Sequence, residues 1–299
     1  MTRAEALVNA HRRLTDAAIP AAEARTEAML LLRHTTNLSR EELFLRPGVS
    51  LTDSEAERFG TAIARRARRE PLAYITGNRD FYGLTFAVTP DVLIPRPETE
   101  GVVEAVLDLV CRKIGSPPTP NPGGWGASDI LDLCTGSGCI AIALAVHAPD
   151  ARITATDISD RALTVARANA EAHGVADRVT LLSGDLFVPV PPGTRFAVIA
   201  SNPPYIAPDE IAELEPEVRD FEPRIALGVH ADALHFYRRI GFESPVYLAE
   251  GGSVVVEVGQ GQSDAVSGLF RDAGFTNICV LPDLAGIPRV IAATAYRRP

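Results

Sequence analysis

Apolar positions recur at helical spacing through roughly the first 76 residues. Leu7, His11, Leu14 and Ile19 fall along one face before Pro20 breaks the segment. A second helix is expected over about 21–34, burying Ala24, Ala28, Leu31 and Leu32. Ser39 caps a short helix that stops before Pro47. Thr52 or Asp53 caps a fourth, which carries Ala56, Phe59, Ile63 and the run Arg65-Arg66-Ala67-Arg68-Arg69. That run reads either as a solvated helix face or as a partner-binding patch. Near residue 80 the pattern turns to strand: Phe81–Val88, a turn at Pro90-Asp91, then Val92–Ile94, a hairpin joining two domains. Val102–Val110 returns to helical spacing.

From residue 129 onward apolar strands and helical stretches alternate. The strands are Ile130–Leu133, Arg152–Thr156, Val179–Leu182, Phe196–Ala200, Ser253–Val258, Ile278–Leu281 and Arg289–Ala293. Alternation of this kind implies a doubly wound, mostly parallel sheet covered on both faces. The Pro- and Gly-rich stretch 116–128 is expected to be a surface loop within that domain. The expected division is a helical domain over 1–78, a hairpin linker over 79–97 and an α/β domain over 98–299.

Composition narrows the class. The chain has 299 residues and a formal net charge of −9, with 46% hydrophobic residues. No apolar run approaches the ~18 residues of a membrane span, and Met1–Glu5 leads into an amphipathic helix rather than a signal core. Cys111, Cys134, Cys139 and Cys279 form neither a disulfide framework nor a zinc spacing, which suits a reducing cytoplasm and no metal. Residues 1–80 carry 13 Arg against 11 acidic residues, leaving 16 basic against 27 acidic in the remainder. So acidic a body is poorly suited to holding a nucleic-acid duplex.

Candidate chemistry lies at the ends of the first four strands of the sheet, the edge where open α/β sheets bind ligands. After the first comes Asp132-Leu133-Cys134-Thr135-Gly136-Ser137-Gly138, running into an apolar helix. Gly136 and Gly138 permit close backbone approach, and the helix start offers free N–H groups, so a nucleotide-like ligand is implied. Ala141 stands where a dinucleotide fingerprint wants a third glycine, a tolerated change, so NAD is not excluded. Asp157 ends the second strand, 19 residues after Gly138, where a carboxylate can accept both ribose hydroxyls. Ser159 or Asp160 suits the following helix cap better. At the third strand, Asp185 can take an adenine amino group, with Leu186 or Phe187 covering the ring.

The fourth strand ends in Asn202-Pro203-Pro204-Tyr205. Two prolines cannot continue a sheet, so a stiff turn presents a primary amide, a fixed carbonyl and an aromatic ring. That set suits a planar NH2 group. In this order the loops resemble the class I methyltransferases, which use S-adenosyl-L-methionine (AdoMet) on such nitrogens. Tyr74–Gly77, Phe81–Leu84, Leu93–Glu100, Glu222–Leu227 and Glu257–Gly259 extend the likeness across the chain. Together they resemble the HemK/PrmC-type protein-(glutamine-N5) methyltransferases. The family often has Gly at Cys134 and Trp at Leu186, and a Gly-Gly-x-Asp-Gly-Leu stretch at Gly228–Leu234.

The resemblance implies a Rossmann-like, doubly wound seven-stranded AdoMet-dependent methyltransferase domain with a small all-helical N-terminal domain joined by a β-hairpin. It implies methylation of the Gly-Gly-Gln glutamine of class 1 peptide chain release factors by a cytoplasmic monomer, with no stable nucleic-acid binding. Cys134, Thr135, Gly136, Ser137, Gly138, Asp157, Asp185, Leu186 and Asn202 would then hold AdoMet. Asn202 and Pro203 would accept the two N–H groups of the target, Pro204 would stiffen the turn, Tyr205 would pack on the amide and Phe81 would close its other side. The helical domain would help grip the release factor, with the Arg65–Arg69 helix a candidate surface. None of the six histidines is given a role. The rival readings are a nucleic-acid adenine-N6 methyltransferase, a non-catalytic binding module and a NAD-dependent oxidoreductase.

Overall fold

Three serine or threonine caps organise the helical N-terminal region. The structure, a computed structural model, describes residues 1–115, 129–228 and 230–295, so the loop expected over 116–128 lies outside the described residues. The helices are α1 (Arg3–Asp16), α2 (Ala21–Thr36), α3 (Arg40–Leu45), α4 (Asp53–Ala67) and α5 (Leu72–Thr76). Thr2 with Glu5, Ser39 with Glu42 and Thr52 with Glu55 form reciprocal capping boxes that satisfy otherwise orphaned N–H groups. Ala6, Ala10 and Leu14 are the buried positions of α1, one residue round the helix from the expected Leu7 and His11. Small alanines on α1 and on α2 (Ala24, Ala28) let the two helices pack closely, and the larger Leu7 is only half-buried.

These helices form one compact unit, Met1–Asn78, which also contains the later segment Glu215–Phe221. That segment corrects both expectations for the arginine run. Arg66 is 4% exposed and pairs with Glu27 and Glu217, each at 2.8 Å. Arg69 pairs with Glu217 at 2.6 Å and Glu215 at 3.2 Å, and Arg65 pairs with Glu70. Three of the four guanidiniums bind the chain's own carboxylates, and only Arg68 is left exposed. Guanidiniums buried at such a seam require partners, and the acids supply them.

The second unit begins with a two-stranded hairpin, β1 (Asn78–Phe81) and β2 (Leu84–Ala87). Its turn is Tyr82-Gly83, with φ of +51° and +75°, not Pro90-Asp91 as expected. Right-handed strand twist favours turns with two positive φ values, and Val92–Ile94 forms no strand. Helix α6 (Glu100–Gly115) follows.

Then come β3 (Asp129–Leu133), α7 (Cys139–His147), β4 (Arg152–Asp157), α8 (Asp160–Ala172), β5 (Val179–Ser183) and β6 (Phe196–Ser201). The remainder comprises α9 (Pro216–Phe221), α10 (Arg224–Leu227), α11 (His235–Glu243), β7 (Leu248–Glu257), α12 (Ser263–Asp272), β8 (Phe275–Pro282) and β9 (Pro288–Ala295). Of these, α9 is the piece that belongs to the helical unit.

The seven strands are ordered β5-β4-β3-β6-β7-β9-β8, parallel from β5 through β7 and antiparallel at β9. Alternate residues of the strands supply two cores. Ile130, Ile153, Val198 and Val255 face α6 and α7, while Leu131, Ile199, Val254 and Val256 face α11 and α12. Connections from β3 run outward to β4 and β5, whereas β6 lies on the other side of β3. Strand order therefore switches between β3 and β6, and the crevice at their carboxyl ends is the expected ligand position.

Candidate active site

At the switch point, Leu133 and Ser201 are register partners, and the Ser201 hydroxyl donates to the Leu133 carbonyl at 2.8 Å. The next residues of the two strands are Cys134 and Asn202, so neighbouring strand ends deliver the glycine-rich turn and the proline turn side by side. Both open into a cavity of about 320 Å³. Cys134, Gly136, Asp157, Asp185, Leu186 and Asn202 all line it, as does Pro204.

Asp157 ties two loops together. Its Oδ2 accepts the Gly136 N–H at 2.8 Å and its Oδ1 the Ser159 N–H at 2.9 Å. Ser159 itself caps α8, accepting from the Ala162 N–H. Burial raises the Asp157 carboxyl above its ordinary value, against the pull of those amides. On the next loop Asp185 pairs with Arg239 of α11 at 2.6 Å.

Thr135, Ser137 and Gly138 stand behind the lining. The Thr135 hydroxyl donates to buried Asp132, and Ser137 is 2% exposed, its carbonyl accepting from the Asn169 amide. A Cβ at Gly138 would lie 2.8 Å from Ile142 and 3.2 Å from Ala166, on a backbone with φ of +82°. Glycine there lets α7 and α8 pack.

Pro203 is buried beneath the turn. The Tyr205 ring packs with the core, and its hydroxyl donates to Glu257 Oε1 at 3.2 Å. Phe81 is 2% exposed and packs edge-on against Phe86 in the core. Its expected place over the target amide is thus corrected: as the inward residue at the end of β1, it fills the core instead. Phe187 likewise stacks on Tyr247 at 4.8 Å and leaves Leu186 to face the cavity.

Several wall residues escaped the sequence reading. His230 and His235 stack at 3.7 Å and line the cavity with Phe236 and Arg239. Burial, then His230 and Arg239, hold His235 below the usual histidine value, so it stays neutral near pH 7. Val229, within the stretch that departs from the family pattern, lies outside the described residues. Arg96 pairs with buried Glu222 at 2.6 Å, joining two of the stretches that carry the resemblance.

The wall chemistry fits AdoMet: carboxylates at the ends of β4 and β5, apolar surface from Leu186, Phe236 and Ile225, and exposed backbone at Gly136. Fold and site together define a class I methyltransferase. The N-terminal domain of human METTL16 in complex with SAH shares the fold, with a TM-score of 0.51 at 17% identity over 88% of this chain and 90% of that one. Residues 5–77 match the PrmC N-terminal domain and residues 124–214 the methyltransferase small domain. The release factor glutamine methyltransferase of Cereibacter sphaeroides is 43% identical over 98% of both chains. That of Moorella thermoacetica is 43% identical over 100% of this chain and 99% of its own. The chain belongs to the release factor glutamine methyltransferase family.

Proposed function

We propose that the chain transfers a methyl group from AdoMet to the side-chain amide N5 of the glutamine in the Gly-Gly-Gln loop of class 1 release factors. One observation carries the reading: Asn202 and Pro204 of the proline turn line the same cavity as Gly136, Asp157 and Asp185. Asp157 would hold the ribose hydroxyls, Asp185 the adenine amino group and Leu186 one face of the ring. When bound, AdoMet supplies the electrophilic methyl group.

An amide nitrogen is a poor nucleophile because its lone pair is delocalised into the carbonyl. The Asn202 side-chain oxygen accepts one N–H of the target and the Pro203 carbonyl the other. Acceptors placed toward a tetrahedral nitrogen favour the transition state over the planar ground state. In this reading Tyr205 braces the turn, and the proton leaves after the nitrogen has become cationic. The helical domain, residues 1–78, would recognise the release factor, with 79–97 as linker and 98–299 carrying the chemistry. The absence of stable nucleic-acid binding accords with the net charge of −9. No described helix is long and apolar enough to cross a membrane.

Labelled AdoMet, offered with a release factor or with DNA, tests the proposal. Label on the release-factor glutamine is expected; label on adenine alone would overturn it. Asn202→Ala should lower turnover on the order of 100-fold or more, as when a preorganised transition-state contact is lost. Its AdoMet affinity should change far less, and near-normal turnover would remove Asn202 from the mechanism.

A further inference from the structure

The Asn202 amide is held from a distant part of the chain. Its Nδ2 donates to the Thr99 hydroxyl at 3.1 Å, and that hydroxyl donates to Glu257 Oε2 at 2.5 Å. The other oxygen of Glu257 accepts from Tyr205 at 3.2 Å. One carboxylate thereby clamps both ends of the Asn202–Tyr205 turn. It is itself fixed at the end of β7, where the Tyr237 hydroxyl donates to its backbone carbonyl at 3.0 Å. Thr99 is 2% exposed and Glu257 1%, so water does not compete for these bonds.

The chain of bonds has a direction. A threonine hydroxyl has one hydrogen, and here Glu257 takes it. Toward Asn202 the hydroxyl can therefore only accept, so it must face the Nδ2 end of the amide. That leaves Oδ1 as the end free for another partner. A flipped amide would aim N–H donors at the N–H donors of the substrate and lose the interaction altogether.

We propose that Thr99 and Glu257 are positioning residues which set the flip of the Asn202 amide, so that its oxygen meets the acceptor nitrogen. The inference rests on the methyl-transfer reading above. Burial raises the Glu257 carboxyl while the Thr99 and Tyr205 hydroxyls oppose the shift. Both hydroxyls donate to it, the arrangement a carboxylate requires.

Thr99→Val keeps the shape and removes the hydroxyl. Its kcat on whole release factor should fall on the order of 100-fold, the scale of a misplaced catalytic group. KM for the factor and the Kd for AdoMet by calorimetry should stay within about threefold, since the contact matters only to the reacting geometry. Thr99→Ser should restore most of the lost turnover. Glu257→Gln, which can accept at only one of its two polar atoms, should lower kcat with KM similarly unmoved. Adding Thr99→Val to Asn202→Ala should cost nothing further, because the threonine acts through the asparagine. Wild-type turnover in Thr99→Val, or a full additive loss in the double variant, would overturn the positioning role. If wild-type protein fails to label the glutamine at all, the functional reading falls and takes this inference with it.

Discussion

Asp132 has no exposed surface, and its carboxyl is pushed up to about 7, chiefly by burial, with the Thr135 hydroxyl pulling the other way. Its folded value exceeds its unfolded one, so the native state binds the extra proton. By linkage, stability from this group falls as pH climbs from about 4 to about 7 and levels off above that. Asp132→Asn removes the titration. In denaturant titrations across that window, the variant should gain on wild type as pH rises; a gap that does not change with pH would count against this reading. Single residues also mark what a sequence displays. Asn202 and Asp157 were legible because prolines end one strand and a lone acid ends another. Thr99 and Glu257 lie in stretches that carry the resemblance, but their linkage to Asn202 was not legible, since the bonds span 103 and 158 residues. Cys134 and Leu186 are visible departures from the family pattern, but only the backbone shows that both sit at positive φ, +60° and +47°. Backbone strain of this kind gathers at ligand sites.

Among the elements, capped helices and buried parallel strands were the most legible, because each is written in local spacing. Ser39, Thr52 and Ser159 cap where their side chains and the following apolar positions indicate. The hairpin was misplaced because tyrosine rarely takes a positive φ, which hid the Tyr82-Gly83 turn behind a more conspicuous Pro90. The α11 wall was missed because His235, Phe236 and Arg239 follow no motif and face the cavity only once α11 has packed on the sheet. Gly138 joins local geometry to packing. Gly138→Ala should destabilise the protein by about 1–3 kcal/mol, through overpacking against Ile142 and Ala166 and a disfavoured φ. Thermal unfolding measures that loss, and an unchanged midpoint would show that α7 and α8 can part without cost.

For the whole molecule, the instructive residues are the arginines of α4. Arg66→Met should cost about 3 kcal/mol or more, because Glu27 and Glu217 would lose their buried partner. Exposed Arg68→Ala should stay within about 0.5 kcal/mol of wild type. Urea denaturation of the two variants makes the comparison, and equal stabilities would mean that the ion pairs contribute little. No sequence pattern announces this docking: Arg69 and Glu217 are 148 residues apart, and α9 resembles any short acidic turn. The same placement of α9 bears on the order of synthesis. Residues 1–78 of the helical unit are translated well before its last piece, which ends at Phe221. Glu215 and Glu217, which complete the pairing of Arg66 and Arg69 alongside Glu27, are made only after β3 through β6 and the proline turn have been translated. The helical unit therefore waits, incomplete, for most of the second.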